Sequence, residues 1–364
     1  MRGRSLAVPM MSMLRCDPPR PRPFALETDT HPPFTIQLAR RWNAKDQNKI
    51  KRVADVNFQQ LRIIRETVRR SFNLTEVANA LHTSQSGVSK HIKDLEDELG
   101  VELFVRKGKR LLGLTEPGQE LVGIVERILL DTQNIKKLGQ QFSDKDKGRL
   151  AVATTHTQAR YALPKVVTAF KKEFPKVNLV LHEAGPTEIV SMLLNGQADI
   201  GVATEALVDA AELVTFPYYS WHHGIVVPAG HPLQAEKKVS LEALAEYPLV
   251  TYQQGFTGRG RIDDAFAAAG LEPEIVIAAL DADVIKAYVE LGLGVGIIAS
   301  MAFDAVRDPG LRLLDARHLF KENTSRIAVR RGSYLRGYAL RFIELCSAEL
   351  TEARVKASID APAD

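Results

Sequence analysis

Two short amphipathic helices meeting at a tight polar junction, over residues 74 to 106, constrain this chain more than any other stretch. Leu74, Val77, Ala78 and Leu81 recur at helical intervals, and Val88, Ile92, Leu95 and Leu99 repeat the pattern. Between the two sets, His82, Thr83 and Ser84 supply turn chemistry, and Ser84 is the predicted N-cap of the second helix. That helix turns Gln85, Ser86, Ser89, Lys90 and Lys93 away from its apolar side. Short hydrogen-bonding groups and cations of this kind reach base edges and phosphates in a major groove. Helix pairs of this form also occur in proteins that bind no nucleic acid, so the flanking sequence decides.

Both flanks favour DNA. Residues 57 to 70 predict a preceding amphipathic helix, with Phe58, Leu61, Ile64 and Val68 inward and Arg62, Arg65, Arg69 and Arg70 mostly outward. Behind the second helix, Leu103 to Val105 leads into Arg106-Lys107-Gly108-Lys109-Arg110, and apolar residues resume at Leu111 to Leu114. Strand, basic turn and strand make a wing, with Arg106, Lys107 and Lys109 as phosphate contacts. Alone, such a charge run is a solvated turn; behind a helix-turn-helix it grips the backbone. Residues 56–114 therefore predict an all-α winged helix-turn-helix domain whose partner is double-stranded DNA at an operator.

With 364 residues, 45% of them hydrophobic, the chain can build two or three cores. A net charge of +4 suits a regulator but also many soluble enzymes. Cys16 and Cys346 lie far apart, which argues against a disulfide framework or zinc site and for a reducing cytoplasm. No apolar run approaches a membrane span, and Pro9 interrupts the only candidate secretory core. Residues 1–55, crowded with Pro18, Pro19, Pro21, Pro23, Pro32 and Pro33, predict a disordered or artefactual extension. Translation starting at Val56 would account for it. The competing reading is a basic arm along DNA, using Arg40, Arg41, Lys45, Lys49, Lys51 and Arg52.

Thr115 is a good N-cap for a long helix over residues 115–142, marked by Leu121, Val122, Val125, Ile128, Leu129, Ile135 and Leu138. It is too apolar to stand alone, so it packs on its own domain or, as we prefer, pairs with the same helix of a second subunit. Residues 143 to 148 form a polar hinge.

Strand and helix patterns then alternate through residues 143–350. Strands are predicted at 149–154, 178–182 and 199–203, with helices at 162–174 and 187–194. A second unit follows, with strands at 223–228, 249–252 and 274–279, helices at 260–269 and 282–291, and a buried strand ending at Ile298. Gly292, Gly294 and Gly296 read as a tight turn into that strand, not as a phosphate loop. The pattern predicts two Rossmann-like α/β lobes with parallel sheets, arranged like a periplasmic binding protein around a ligand cleft. Residues 351–364 are expected to be a tail.

The richest strand end is Thr154 to Tyr161, where hydroxyls, an amide and backbone N–H groups meet a helix start. Neutral donors there suit an anion. Thr155, Thr157 and Gln158, with Thr204 and Thr257 from other strand ends, are the candidate effector-binding residues. Each threonine alone is an ordinary cap or turn; their recurrence at strand ends points to a pocket. His156 and the His222-His223 pair lack a nucleophile or carboxylate placed to complete catalytic or metal chemistry. No catalytic residue, metal or cofactor is expected. A sulfate-carrying solute binder would explain the cleft but not the winged head.

Winged head, linker helix and two-lobed domain, in that order, resemble the LysR-type transcriptional regulators over residues 56 to about 350. The segments TSQSGVSKHIKDLEDELG, TTHTQARYALP, ATEAL, YPLVTY, GFTGR and DADVIKAYVELGLGVGIIASMA resemble the branch that activates cysteine biosynthesis. The resemblance implies a cytoplasmic homotetrameric activator of sulfate-assimilation genes that works with RNA polymerase. It implies N-acetylserine or O-acetylserine as inducer, with sulfate or thiosulfate occupying or opposing the site. It also places the anion on Thr155, Thr157, Gln158, Thr204 and Thr257, and base reading on Ser84 to Lys93. A related regulator of sulfonate-sulfur use, sensing adenosine phosphosulfate, is the rival. Ser86 departs from the branch, which has proline before Gly87, and the N-terminal extension has no counterpart in it.

Overall fold

The computed structural model describes residues 56–143 and 146–361; the expectations for residues 1–55 and for the middle of the hinge lie outside them. The head opens with α1 (Phe58–Arg69), which Asn57 and Gln60 start with a reciprocal capping box. Its buried face is Gln60, Leu61, Ile63, Ile64 and Thr67. Phe58, expected inward, is 53% exposed, because it occupies the first helical position, ahead of the packed turns. Asn73 caps α2 (Leu74–Ala80), and Ser84 caps α3 (Gln85–Leu99) by accepting the Gly87 N–H at 3.1 Å. Gly100, at φ +71°, ends α3 in the left-handed conformation that glycine adopts without strain. Val77, Val88, Ile92, Leu95, Leu103 and Phe104 close the core.

The wing is an antiparallel pair, β1 (Phe104–Lys107) and β2 (Arg110–Leu114), so its strands run further into the basic segment than the pattern suggested. Thr115 accepts the Gly118 N–H at 3.2 Å and starts the linker helix α4 (Glu116–Ser143). Val125 and Leu129 bury one face of α4 in the head core. Ile124, Ile128, Ile135, Leu138 and Phe142 stay exposed along it. One helix thus packs on its own domain and still presents a free apolar stripe.

The C-terminal region holds two five-stranded sheets. The first lobe has β3 (Gly148–Thr154), β4 (Val177–Glu183), β5 (Ile200–Ala203), β6 (Leu213–Trp221) and a returning strand, with helices α5 (Pro164–Glu173) and α6 (Pro186–Leu194). The second lobe has β7 (His223–Pro228), β8 (Leu249–Tyr252), β9 (Ile275–Ala279), β10 (Val295–Ala299) and β11 (Leu311–Asp315), with α7 (Leu241–Ala245), α8 (Arg259–Ala268) and α9 (Ala282–Glu290). The chain then re-enters the first lobe as β12 (Asn323–Arg330), followed by α10 (Gly337–Cys346). Strand orders are β4-β3-β5-β12-β6 and β11-β7-β10-β8-β9.

The sheets were expected to be parallel and are mixed. The β4-β3-β5 and β9-β8-β10 runs are parallel as βαβ connections require. In the first lobe, β12 arrives from the other lobe and pairs antiparallel with both β5 and β6. In the second, β7 pairs antiparallel with β10, and β11 pairs antiparallel with the far side of β7. Of residues 351–364, expected as a tail, the described ones up to 361 instead supply α11 (Glu352–Asp360), capped by Thr351, whose Val355 and Ile359 belong to the first-lobe core. Polar contacts strap α4 along this lobe: Asn134 Nδ2 donates to Gly332 O at 2.8 Å, and Glu126 pairs with Arg330 at 3.2 Å.

Candidate effector cleft and nucleic-acid interface

On the head, Ser84, Gln85, Ser86, Lys90 and Lys93 are exposed along the start of α3, and Ser89 is half-buried. Ser84 is largely committed to capping and also contacts Ser86 Oγ at 3.1 Å. Lys107 and Lys109 flank Gly108 at the wing tip, exposed to solvent. Arg106 is differently employed. Its guanidinium donates to Glu96 Oε2, while Glu96 Oε1 accepts the Leu103 N–H at 2.9 Å and the Phe104 N–H at 3.3 Å. That nearly buried carboxylate ties the root of the wing to the recognition helix, so Arg106 sets wing angle while the two lysines remain open to phosphate.

The cleft is built around Ser325, fully buried on β12. Its Oγ meets Gln158 Nε2 at 3.0 Å, Trp221 Nε1 at 3.1 Å and Thr204 Oγ1 at 3.3 Å. Tyr219 in turn donates to Gln158 Oε1. Gln158 and Thr204 are thereby joined through a residue that the sequence reading missed, because β12 had not been assigned. Thr155 and Thr157 are buried just upstream, at the entrance to a π-helical turn, Gln158–Ala162. Thr157 Oγ1 lies near the Tyr252 hydroxyl of the second lobe yet has no formed hydrogen bond. Thr257 is buried, but it holds the site by its backbone: His223 Nε2 donates to its carbonyl at 3.1 Å. Its φ of +44° is strained for a β-branched residue.

Charged groups latch the lobes at the mouth. Asp283 accepts the Tyr161 hydroxyl at 2.6 Å, pairs with Arg160 at 2.7 Å and with Lys286 at 3.2 Å. Burial alone would raise the Asp283 pKa; hydrogen bonds from Tyr161, Lys286 and His156 outweigh it and hold the carboxyl low. His156 bridges Glu183 at 2.8 Å and Asp283 at 3.4 Å, and these bonds overcome desolvation to raise its pKa. Ligand atoms of His156, Asp281 and Asp283 lie within 4.8 Å of one another, but a metal would have to displace Arg160 and Lys286 from Asp283. Glu205, beside Thr204, went unremarked in the sequence although it sits within the quoted ATEAL segment; it accepts the Gly258 N–H across the cleft.

Residues 58–119 match the profile "Bacterial regulatory helix-turn-helix protein, lysR family", and residues 143–351 match "LysR substrate binding domain". The chain belongs to the LysR family. It is therefore a DNA-binding transcription regulator with a small-molecule effector domain, not an enzyme. The HTH-type transcriptional regulator SsuR of Burkholderia cenocepacia is 58% identical over 300 residues, covering 82% of this chain and 97% of its own. The regulator cbl of Escherichia coli K12 is 53% identical, covering 84% and 96% respectively. CysB of Burkholderia cenocepacia is 51% identical over 85% of this chain and 99% of its own. Among solved structures, the cofactor-binding domain of the Cbl regulator superposes with a TM-score of 0.58 at 48% identity, over 59% of this chain and 95% of that one. Among the described residues, no helix is long and apolar enough to cross a membrane.

Proposed function

We propose that this LysR-family protein regulates genes of sulfur assimilation and cysteine biosynthesis, answering acetylserine together with sulfate or thiosulfate. The observation that carries the reading is the buried Thr157 hydroxyl without a hydrogen-bond partner, next in sequence to Gln158, whose amide joins the neutral hydroxyl and indole groups that bond one another around Ser325. Neutral donors stabilise a fully ionised oxyanion without a paired cation. The resemblance to CysB, 51% identical, supports the same ligand class. Thr155, Thr157, Gln158, Thr204 and Thr257 are the effector residues in this reading. Ser84, Gln85, Ser86, Ser89, Lys90 and Lys93 face the operator, with Lys107 and Lys109 on phosphate and Arg106 bracing them.

The protein acts in the cytoplasm as a homotetramer and engages RNA polymerase at the promoter. The exposed stripe on α4 supports subunit pairing. An effector with different affinities for open and closed lobes shifts the paired heads through α4 and so changes DNA bending. A second reading, control of sulfonate-sulfur use through adenosine phosphosulfate, draws on the 53% identity to cbl. Calorimetric titration of the full chain with acetylserine, sulfate, thiosulfate and adenosine phosphosulfate separates the two. Operator footprints with and without each ligand complete the test. Acetylserine or sulfate binding with a changed footprint supports the first reading; a response to adenosine phosphosulfate alone supports the second.

A further inference from the structure

The Thr204-Glu205 corner, at the end of β5, sets a carboxylate against the opposite lobe. Glu205 Oε1 accepts the Gly258 N–H, and the Thr257 N–H also helps to hold the charge. Oε2 is buried without a hydrogen-bond partner. Both sides of this contact are strained: Ala206 has φ +62° and Thr257 φ +44°, values that non-glycine residues avoid. Strain held on two facing segments marks a contact kept for a purpose other than stability.

The surroundings of Glu205 offer it no cation among the described residues. From β7, His223 donates to Thr257 O, and burial drives its pKa down to about 4, so it is neutral. Arg259, at the start of α8, is spent on Asp263 and on Tyr252 O. On its own segment, Thr204 is bonded to Ser325. Around the cleft mouth, His156 is bound to Glu183 and Asp283, and Arg160 to Asp283.

We propose that Glu205 is a specificity residue of the effector cleft, which takes up a proton when a divalent oxyanion binds and then donates to that anion through Oε2. This rests on the anion-binding reading above. Ionised, the carboxylate repels a divalent oxyanion in a poorly solvated site; protonated, it turns an unused acceptor into a donor. Burial pushes the Glu205 pKa up to about 7, against the opposing pull of the Gly258 N–H, its own N–H and the Thr257 N–H, so the proton is available near neutrality. The cleft thereby distinguishes an oxyanion that needs a donor from a ligand that brings its own N–H or O–H group.

The test is calorimetric titration of the full chain with inorganic sulfate at pH 6, 7 and 8, in buffers of differing ionisation enthalpy. With a pKa of about 7 in the free protein, Kd is expected to rise about tenfold from pH 6 to 8, with proton uptake accompanying binding. Glu205→Gln, neutral at every pH, should bind sulfate without that rise. His156 is the other titratable group near the site, its pKa raised by bonds to Glu183 and Asp283 that outweigh burial, so His156→Gln is measured alongside and should keep the slope. Wild-type binding that is flat in pH and releases or takes up no proton overturns the role of Glu205, as does an equally steep Glu205→Gln profile. Absence of sulfate binding at pH 6 in both proteins removes the anion reading itself, and this proposal with it.

Discussion

Lys137 Nζ on the linker helix lies 2.7 Å from Asp199 Oδ1, and the other oxygen of that carboxylate accepts the Ala151 N–H at 3.0 Å. Asp199 thus joins α4 to the roots of β3 and β5, whose far ends carry Thr155 and Thr204. Lys137→Met should cost no more than about 1 kcal/mol of stability, because the pair is partly solvated. It should also abolish most of the effector-dependent change in the operator footprint while leaving effector affinity intact. A footprint response of normal size would show that the signal travels elsewhere.

Thr157→Val keeps the shape of the side chain and deletes a hydroxyl that has no formed hydrogen bond. Melting should therefore move by less than about 0.5 kcal/mol, while sulfate affinity falls about tenfold, the worth of one hydrogen bond to a charged group. Equal affinity in calorimetry would place the anion elsewhere.

The wing separates two kinds of arginine and lysine effect. Lys107→Ala and Lys109→Ala should each lower affinity for any DNA sequence and reduce the salt slope of binding by about 1. Gln85→Ala should cost about 1–3 kcal/mol at the operator and little on random DNA. Arg106→Ala should instead destabilise the head by about 1–3 kcal/mol, because Glu96 keeps its burial and loses its cation. Chemical denaturation read beside a salt series tells these apart.

Two buried groups give the stability profile opposing slopes. Burial lowers the His223 pKa from 6.5 to about 4, so the unfolded chain takes a proton that the folded one refuses, and stability falls as pH drops through this range. Glu205 is raised from 4.5 to about 7; its contribution is complete below 4.5 and is lost as pH rises towards 7. Each slope is about 1.4 kcal/mol per pH unit, so between 4.5 and 6.5 they cancel. Denaturation midpoints of Glu205→Gln should therefore climb with pH across this window more steeply than those of the wild type, by about that one slope. A Glu205→Gln profile parallel to that of the wild type would refute the assignment.

Much of this was legible because local chemistry and tertiary role agree. Ser84 and Thr115 cap helices as their neighbours predict, and the wing follows from the glycine between its lysines. The failures share one cause. β12 gains its identity from pairing with β5 and β6, which are distant in sequence, so Ser325 could not be assigned to the cleft from local pattern. α11 reads as polar until Val355 and Ile359 find a core to enter. Glu205 carries no local signal, because only the fold brings Gly258 to one of its oxygens and buries the other without a partner.

Gly118 has a consequence for how the molecule touches DNA. A Cβ there would sit 2.1 Å from Leu103 O, so the first turn of α4 lies flush against the head and the two turn as one piece. The 28-residue helix is about 42 Å long, and a tilt of about 5° sweeps its end through about 4 Å. That is roughly one base-pair rise along the duplex. Release of the Glu126, Asn134 and Lys137 contacts to the first lobe, followed by a small tilt of α4, is therefore enough to move a recognition helix out of register with its half-site, making the linker a pointer whose scale is marked in base pairs.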